Sequence, residues 1–195
     1  SLPLNEYCGR ELSFRRVCTS PYKGRGWLHY SYFGVFMNIE QQIGQILIDK
    51  KLTIATTESC TGGLLSSKLT DISGSSAFVH LNFVTYANEA KHKILGVSWD
   101  TLNNLGAVSE ECAIEMAEGL RKATGSDICV STTGIAGPTG GSKEKPVGLM
   151  YSAIFYKGKT QVYKIQLSPD IERVEMKQKF TEEVLKNIYT LIRFV

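Results

Sequence analysis

The chain has 195 residues, of which 43% are hydrophobic and 21% are charged, which is enough apolar material for one sizeable core. This composition excludes fibrous, disordered and disulfide-stapled proteins. Because we find neither an apolar run near the roughly 18 residues of a membrane span nor a secretory signal pattern, we expect a cytoplasmic globular protein.

The net charge of +3 comes entirely from the first 36 residues. They hold two acidic residues, Glu6 and Glu11, against five basic ones: Arg10, Arg15, Arg16, Lys23 and Arg25. The balanced remainder predicts no overall basic field and no direct nucleic-acid binding. Residues 1–36 show no helical or strand period, so we interpret them as an extension outside the domain, artificial or unrelated to it, and 37–195 as the domain.

The cysteines show neither the close pairs of a zinc site nor the even number of a disulfide framework: Cys8, Cys18, Cys60, Cys112 and Cys129. We therefore expect reduced thiols and no bound metal. Cys112 and Cys129 stand in apolar segments, which predicts buried small side chains.

Helix and strand patterns alternate from the start of the expected domain. Isoleucines at helical spacing predict a first helix that ends at Lys50, and the β-branched run 52–57 predicts a strand. The pair Gly62 and Gly63 should open a second helix. The segment 78–86 is apolar enough for a buried strand.

Three further helices are expected in the middle of the chain. Asn88 and Ser98 are candidate N-caps of two short helices, and Gly106 is a candidate stop for the second. Ser109 and Gly125 bound the clearest amphipathic helix of the sequence.

The last third of the chain predicts three strands and a helix. A strand over 128–132 precedes a glycine-rich loop, and strands over 147–156 and 161–167 should form a hairpin. Apolar residues at helical spacing over 180–191 predict a terminal helix. Interleaved helices and strands with one hairpin indicate a three-layer α/β/α sandwich around a mixed β-sheet.

The segment TTESCTGG at 56–63 lies where the first strand should turn into a helix. A nucleophile at Ser59 would be lifted above the sheet there, and helix-start amides from Thr61 and Gly62 could hold an oxyanion. The same spacing also fits a serine that only caps the helix, beside glycines that permit close packing. The residues alone leave both interpretations open and favour the cap.

Five segments span residues 58–148 in this order: ESCTGG, LTDISGSSAF, FVTYANEAK, LGAVSEE and TGIAGPTGGSKEKPVG. In order and spacing they resemble the CinA C-terminal domain family, and the similarity extends over roughly 37–195. Characterised members hydrolyse the carboxamide of nicotinamide mononucleotide (NMN) to nicotinate mononucleotide and ammonia. The resemblance therefore implies a stand-alone NMN amidohydrolase of pyridine nucleotide salvage that uses no metal and no cofactor.

The resemblance also implies the catalytic residues: Ser59 as nucleophile, Lys91 as base and Tyr86 as an assisting group. A lysine accepts a proton only when it is neutral, so the site must lower the pKa of Lys91. From the residues alone, a solvated surface lysine and a core tyrosine are the simpler interpretations.

Other side chains could replace these catalytic groups. Cys60 adjoins Ser59 and is intrinsically the better nucleophile, although the resemblance selects the serine. His80 and His92 could each supply an imidazole base, but no aspartate stands in an evident orienting position.

The glycine-rich loop after the strand at 128–132 is suited to cradle the 5′-phosphate of NMN with backbone amides and threonine hydroxyls. A tight active-site wall is an equal alternative, and the absence of a Gly-Lys-Ser/Thr ending argues against ATP binding. Family members carry arginines before the last helix that this chain lacks, and one arginine nearby could replace them. The expected substrate-binding residues are Thr132, Thr133, Gly134, Gly137, Gly140, Gly141 and Arg173.

These expectations combine into a serine–lysine amidohydrolase whose partner is the small molecule NMN. The rival hypothesis is a non-catalytic binding module or adaptor connected with competence or DNA damage, after which the family is named. The balanced charge argues against direct DNA binding. The sequence leaves homo-oligomerisation open, as well as the effect of the missing arginines on activity.

Overall fold

The computed structural model describes residues 37–194, and the expected extension 1–36 lies outside these described residues. Five strands form one sheet: β1 (Ile54–Glu58), β2 (Phe83–Val84), β3 (Ile128–Gly134), β4 (Leu149–Tyr156) and β5 (Lys159–Gln166). Five helices surround it: α1 (Ile39–Lys50), α2 (Leu64–Thr70), α3 (Asn88–Leu95), α4 (Glu110–Thr124) and α5 (Arg173–Ile192). A short 3₁₀ helix (Ser75–Ala77) and a π-helical turn (Thr101–Leu105) complete the described elements.

The sheet is mixed, with the strand order β2-β1-β3-β4-β5. β1 pairs in parallel with β2 and with β3, whereas β3, β4 and β5 pair antiparallel. Helices α1, α2 and α5 pack on one face, and α3 and α4 on the other. This arrangement confirms the predicted α/β/α sandwich.

Side chains of the central strands alternate between the two cores, as strand geometry requires. Ile54 and Ile128 face the α1, α2 and α5 layer, while Ala55 and Cys129 face the α3 and α4 layer. Phe180 of α5 is fully buried, and burial of such a side chain contributes about 1.5–3 kcal/mol. The amphipathic pattern of the helices is therefore what closes both faces of the sheet.

Most helix boundaries agree with the sequence signals. Ser109 caps α4 by accepting a hydrogen bond from the Cys112 amide at 3.2 Å, and Ser98 accepts one from the Thr101 amide at 3.0 Å. The prediction for Asn88 was wrong, because the N-cap is Ala87 and Asn88 is the first residue of α3.

The predicted strand over 78–86 is also corrected. Only Phe83 and Val84 pair as a strand, next to an isolated bridge between Ile54 and Val79. The Asn82 side chain accepts a hydrogen bond from the Thr56 amide at 2.8 Å, so it takes a backbone donor of β1 that a regular edge strand would use. Phe78 is the one fully buried apolar residue of the segment, so its apolar composition did not require a long paired strand.

The fold brings three chain segments to one edge of the sheet. Since β1, β2 and β3 run parallel, their carboxyl ends meet there, and ligands of open α/β sheets bind at such an edge. The turn after β1, the segment after β2 and the loop after β3 thus border one space. Among the described residues, no helix is both long and apolar enough to cross a membrane.

Candidate active site

A cleft of about 340 Å³ opens at this edge of the sheet. Its walls are the turn after β1, the start of α3, the segment before α4, the loop after β3 and the start of α5. The side chains and backbone atoms that line it belong to Ser59, Cys60, Tyr86, Asn88, Lys91, Ala107, Val108, Thr133, Gly134, Ile135, Ala136, Thr139, Gly140 and Arg173.

Lys91 meets Ser59 at the floor of this cleft. The lysine is only 1% exposed, and its Nζ lies 3.1 Å from Ser59 Oγ. Nζ also donates to the carbonyl oxygens of Thr85 at 2.9 Å and Tyr86 at 3.0 Å. Burial lowers the pKa of Lys91 from its ordinary value.

This geometry suits a neutral amine. A neutral lysine has two N–H hydrogens and one lone pair, and the two carbonyls can take both hydrogens. The lone pair then remains for the Ser59 hydroxyl proton. The pair Ser59 and Lys91 can therefore work as a nucleophile and its base.

The structure does not bring the Tyr86 hydroxyl to this pair. Tyr86 is 60% exposed, and its hydroxyl accepts a hydrogen bond from Arg173 Nη2 at 2.9 Å. Its contact with Lys91 is made by its backbone carbonyl. Tyr86 thus orients the lysine through the main chain, while its ring and hydroxyl belong to the mouth of the cleft.

The expected oxyanion donors were the backbone amides of Thr61 and Gly62, and the structure shows which amides of this turn are free. The Gly62 amide donates to the Ser59 carbonyl at 3.1 Å and is therefore occupied. Within residues 37–194, the amides of Cys60 and Thr61 have no hydrogen-bond acceptor. Of these two residues, Cys60 lines the cleft, whereas Thr61 is fully buried and does not, so the Cys60 amide is the available donor for an oxyanion.

The alternative catalytic groups are less suited to this chemistry than Ser59 and Lys91. Cys60 is buried, and burial raises the pKa of its thiol to about 12, so the thiolate form is strongly disfavoured. His92 contacts the Val97 carbonyl through Nδ1 at 2.8 Å, and neither His92 nor His80 lines the cleft. Cys112 and Cys129 are buried free thiols, as predicted.

The glycine loop contributes main-chain donors rather than hydroxyls. Thr133 Oγ1 donates to the Ala107 carbonyl at 2.6 Å, and Thr132 Oγ1 lies 2.8 Å from Thr61 Oγ1 below the cleft surface. Of the expected loop residues, Thr133, Gly134 and Gly140 line the cleft; Thr132, Gly137 and Gly141 do not. In the described part of the chain, the cleft-lining amides of Ala136, Thr139 and Gly140 have no acceptor.

Arg173 stands at the start of α5 and reaches the cleft. Its Nη1 donates to the Gly137 carbonyl at 2.6 Å, while Nη2 donates to the Tyr86 hydroxyl. The guanidinium therefore bridges the segment after β2 and the glycine loop, which carries the free amides described above. An arginine in this place is suited to bind an anionic group of a ligand.

Three polar residues in or directly beside the cleft were not predicted as site residues: Asn88, Thr139 and Glu58. Asn88 lines the cleft one helical turn before Lys91, and its spacing from the lysine was the available signal. Glu58 is fully buried directly before Ser59 and binds the start of α2. The sequence signal for Glu58 is its position five residues before the helix-opening Gly63. Among residues 37–194, no group of three or more His, Cys, Asp or Glu side chains could hold a metal ion.

Comparison with known proteins identifies the family. The family model of the CinA C-terminal domain matches residues 37–192. The chain belongs to the CinA C-terminal domain family. A putative competence-damage inducible protein of Clostridium novyi (strain NT) is 52% identical over 138 residues, which are 71% of this chain and 33% of that protein. The chain thus spans about a third of the length of the curated relatives that it matches.

Solved structures of the CinA superfamily share the fold. The competence/damage inducible protein CihA of Agrobacterium tumefaciens has a TM-score of 0.74 and 38% identity, over 82% of this chain and 99% of that one. A CinA superfamily protein of Klebsiella pneumoniae has a TM-score of 0.76 and 27% identity, over 80% and 97% of the two chains. The described domain is therefore a nearly complete CinA superfamily fold.

Proposed function

We propose that this CinA C-terminal domain hydrolyses the carboxamide of NMN to nicotinate mononucleotide and ammonia. The observation that supports this best is the buried amine of Lys91, held 3.1 Å from Ser59 Oγ by two backbone carbonyls. A lysine that only serves solubility would be exposed, because burial of an ammonium group is costly. A lysine base for a serine nucleophile has to be buried, because burial keeps it neutral.

The reaction follows from these positions. Ser59 Oγ attacks the carboxamide carbon while its proton moves to Lys91 Nζ, and the Cys60 amide holds the resulting oxyanion. Lys91 returns the proton to the nitrogen as the C–N bond breaks, which releases ammonia and leaves an ester on Ser59. Water attacks the ester with Lys91 again as base, and the carboxylic acid leaves.

The other end of the cleft is suited to the phosphate. Free amides of the glycine loop and the guanidinium of Arg173 lie together there, and both are good partners for a phosphate oxygen. A cleft of about 340 Å³ is within the usual size range of small-ligand sites. The proposed substrate thus places its uncharged amide at Ser59 and its charged group at the loop.

Ammonia release from NMN by the purified protein tests the proposal. We expect release that depends on protein concentration, stops in the Ser59→Ala variant and yields stoichiometric nicotinate mononucleotide. An unmodified, folded protein that releases no ammonia would refute the amidohydrolase, and the non-catalytic binding module would then be the better hypothesis.

A further inference from the structure

Glu58 is the most strongly hydrogen-bonded carboxylate near the candidate nucleophile. It is fully buried, and its Oε2 accepts hydrogen bonds from the Thr61 hydroxyl at 2.7 Å, the Gly63 amide at 2.9 Å and the Leu65 amide at 3.1 Å. Its Oε1 accepts from the Ser66 amide at 2.7 Å and the Ser66 hydroxyl at 2.6 Å. Three of these five donors are backbone amides.

This carboxylate substitutes for a missing helix cap. The N-cap of α2 is Gly63, which has φ +96° and no side chain to accept the first helical amides. Glu58 bonds the amides of the second and third helical residues, which an N-cap side chain ordinarily bonds. The positive end of the helix compensates the burial of the negative charge. One side chain of β1 therefore fixes the start of α2, and the turn that carries Ser59 lies between them.

The turn is anchored to β3 through the same carboxylate. Since the Thr61 hydroxyl donates to Glu58, the Thr132 hydroxyl donates to Thr61 Oγ1 across 2.8 Å. The Ser59 amide donates to the Thr132 carbonyl at 3.0 Å. Glu58 also occupies the amides at the helix start, so the turn leaves only the Cys60 and Thr61 amides free in the described part of the chain.

We propose that Glu58 is a positioning residue: by binding both the helix start and Thr61, it holds the turn so that Ser59 Oγ stays against Lys91 Nζ and the Cys60 amide stays free at the cleft. Its role in turnover rests on the proposed amidohydrolase function. The prediction is a loss of kcat rather than of substrate binding, because the groups that would bind the phosphate lie on other elements.

Glu58→Gln and Ser66→Ala form a matched pair that tests this role. Glutamine keeps the size of Glu58 but turns an amide nitrogen toward N–H donors, so the turn should shift. We expect kcat to fall about 100-fold with little change in KM, the loss typical of a small misplacement of reacting groups. Ser66→Ala removes one donor to the same carboxylate on the helix side, and we expect kcat to stay within about twofold. Thermal melts are measured for both variants.

A second readout does not depend on NMN. The rate at which a fluorophosphonate probe modifies Ser59, followed by intact mass, reports the activated nucleophile directly. We expect slow labelling in Glu58→Gln and unchanged labelling in Ser66→Ala. If Glu58→Gln does not fold, Thr61→Val replaces it, and slow labelling supports the proposal while unchanged labelling overturns it.

The outcomes separate the two proposals. If the unmodified protein is labelled but releases no ammonia, the NMN reaction is wrong and the labelling rates alone decide the role of Glu58. If Glu58→Gln keeps kcat and labelling within about threefold while it melts as early as Ser66→Ala, Glu58 is only a helix cap and the proposal is overturned. A folded protein that is neither labelled nor active overturns both.

Discussion

The turn after β1 and the loop after β3 border the same cleft but are built differently. In the turn, Glu58 and Thr132 satisfy the backbone and hydroxyl groups around Ser59, and few donors remain free. In the loop, the cleft-lining amides of Ala136, Thr139 and Gly140 have no acceptor within the described chain. A region whose bonds are internally satisfied holds one geometry, whereas free amides are available to bind an anionic ligand. The difference indicates that the turn after β1 is built for the reaction and the loop after β3 for ligand binding.

The largest effect is expected at the nucleophile itself. Ser59→Ala removes the attacking oxygen, and we expect ammonia release from NMN to fall by about 1000-fold or more. Because the turn is held by Glu58 and not by the Ser59 hydroxyl, the melting temperature should change little. Assays and circular-dichroism melts of the same preparations measure both. An active Ser59→Ala variant would show that the turn does not supply the nucleophile.

Loss of the base should be nearly as severe. Lys91→Met keeps most of the side-chain length and removes the group that titrates, so we expect an activity loss of about 100-fold or more.

The pH profile of the unmodified protein tests the same lysine. Below its lowered pKa Lys91 is protonated and cannot accept the serine proton; the rate should therefore rise as pH climbs through that pKa and level off above it. A rate that falls over this range would contradict the lysine base.

The loop and its neighbour Arg173 should affect binding more than turnover. Arg173→Met removes a charged donor from the proposed phosphate end, and we expect KM for NMN to rise about tenfold with kcat nearly constant. Tyr86→Phe is the matched control, since it removes only the hydroxyl that Arg173 Nη2 contacts. Nicotinamide riboside, which lacks the phosphate, should bind weakly and be insensitive to Arg173→Met in calorimetry. If Arg173→Met weakened the binding of NMN and of nicotinamide riboside equally, the phosphate site would be refuted and the loop would have only a structural role.

The smallest effect on activity is expected at Cys60. Its thiol is buried and strongly disfavoured as a thiolate, so Cys60→Ala should keep activity within about threefold while it creates a small cavity. Ammonia assays beside Ser59→Ala provide the comparison. If Cys60→Ala were inactive and Ser59→Ala active, the thiol would be the nucleophile. The hydrogen bonds of Glu58 and Thr132 in the turn after β1 would then not serve to position Ser59.

The sequence predicted elements that follow local rules and missed contacts that tertiary structure creates. Ser109 and Gly125 bound α4 as expected because capping depends on adjacent backbone. The segment 78–86 was misjudged because strand pairing depends on the partner strand, and here the Asn82 side chain of the segment takes an amide of β1.

The candidate site divides in the same way. The resemblance indicated Ser59 and Lys91, and the structure places them together. The resemblance could not indicate that the Gly62 amide is occupied, that Tyr86 contacts Lys91 through its carbonyl, or that Glu58 caps a helix whose first residue, Leu64, is six positions further along the chain. Each of these depends on which donor meets which acceptor after the chain has folded.

The buried amine of Lys91 also lowers the free energy of unfolding of the domain. Because its pKa is lower in the folded protein than in the unfolded chain, the unfolded chain binds more protons between those two values. The free energy of unfolding therefore rises with pH between the two pKa values of Lys91. Below the folded-state pKa, the full loss of stability that comes from burying the lysine applies. This penalty is offset in part by the hydrogen bonds that Lys91 Nζ donates to the carbonyl oxygens of Thr85 and Tyr86. Replacing Lys91 would remove the penalty but also take from these two carbonyl oxygens the donor that they now have, so the melting temperature of Lys91→Met reflects two opposing changes.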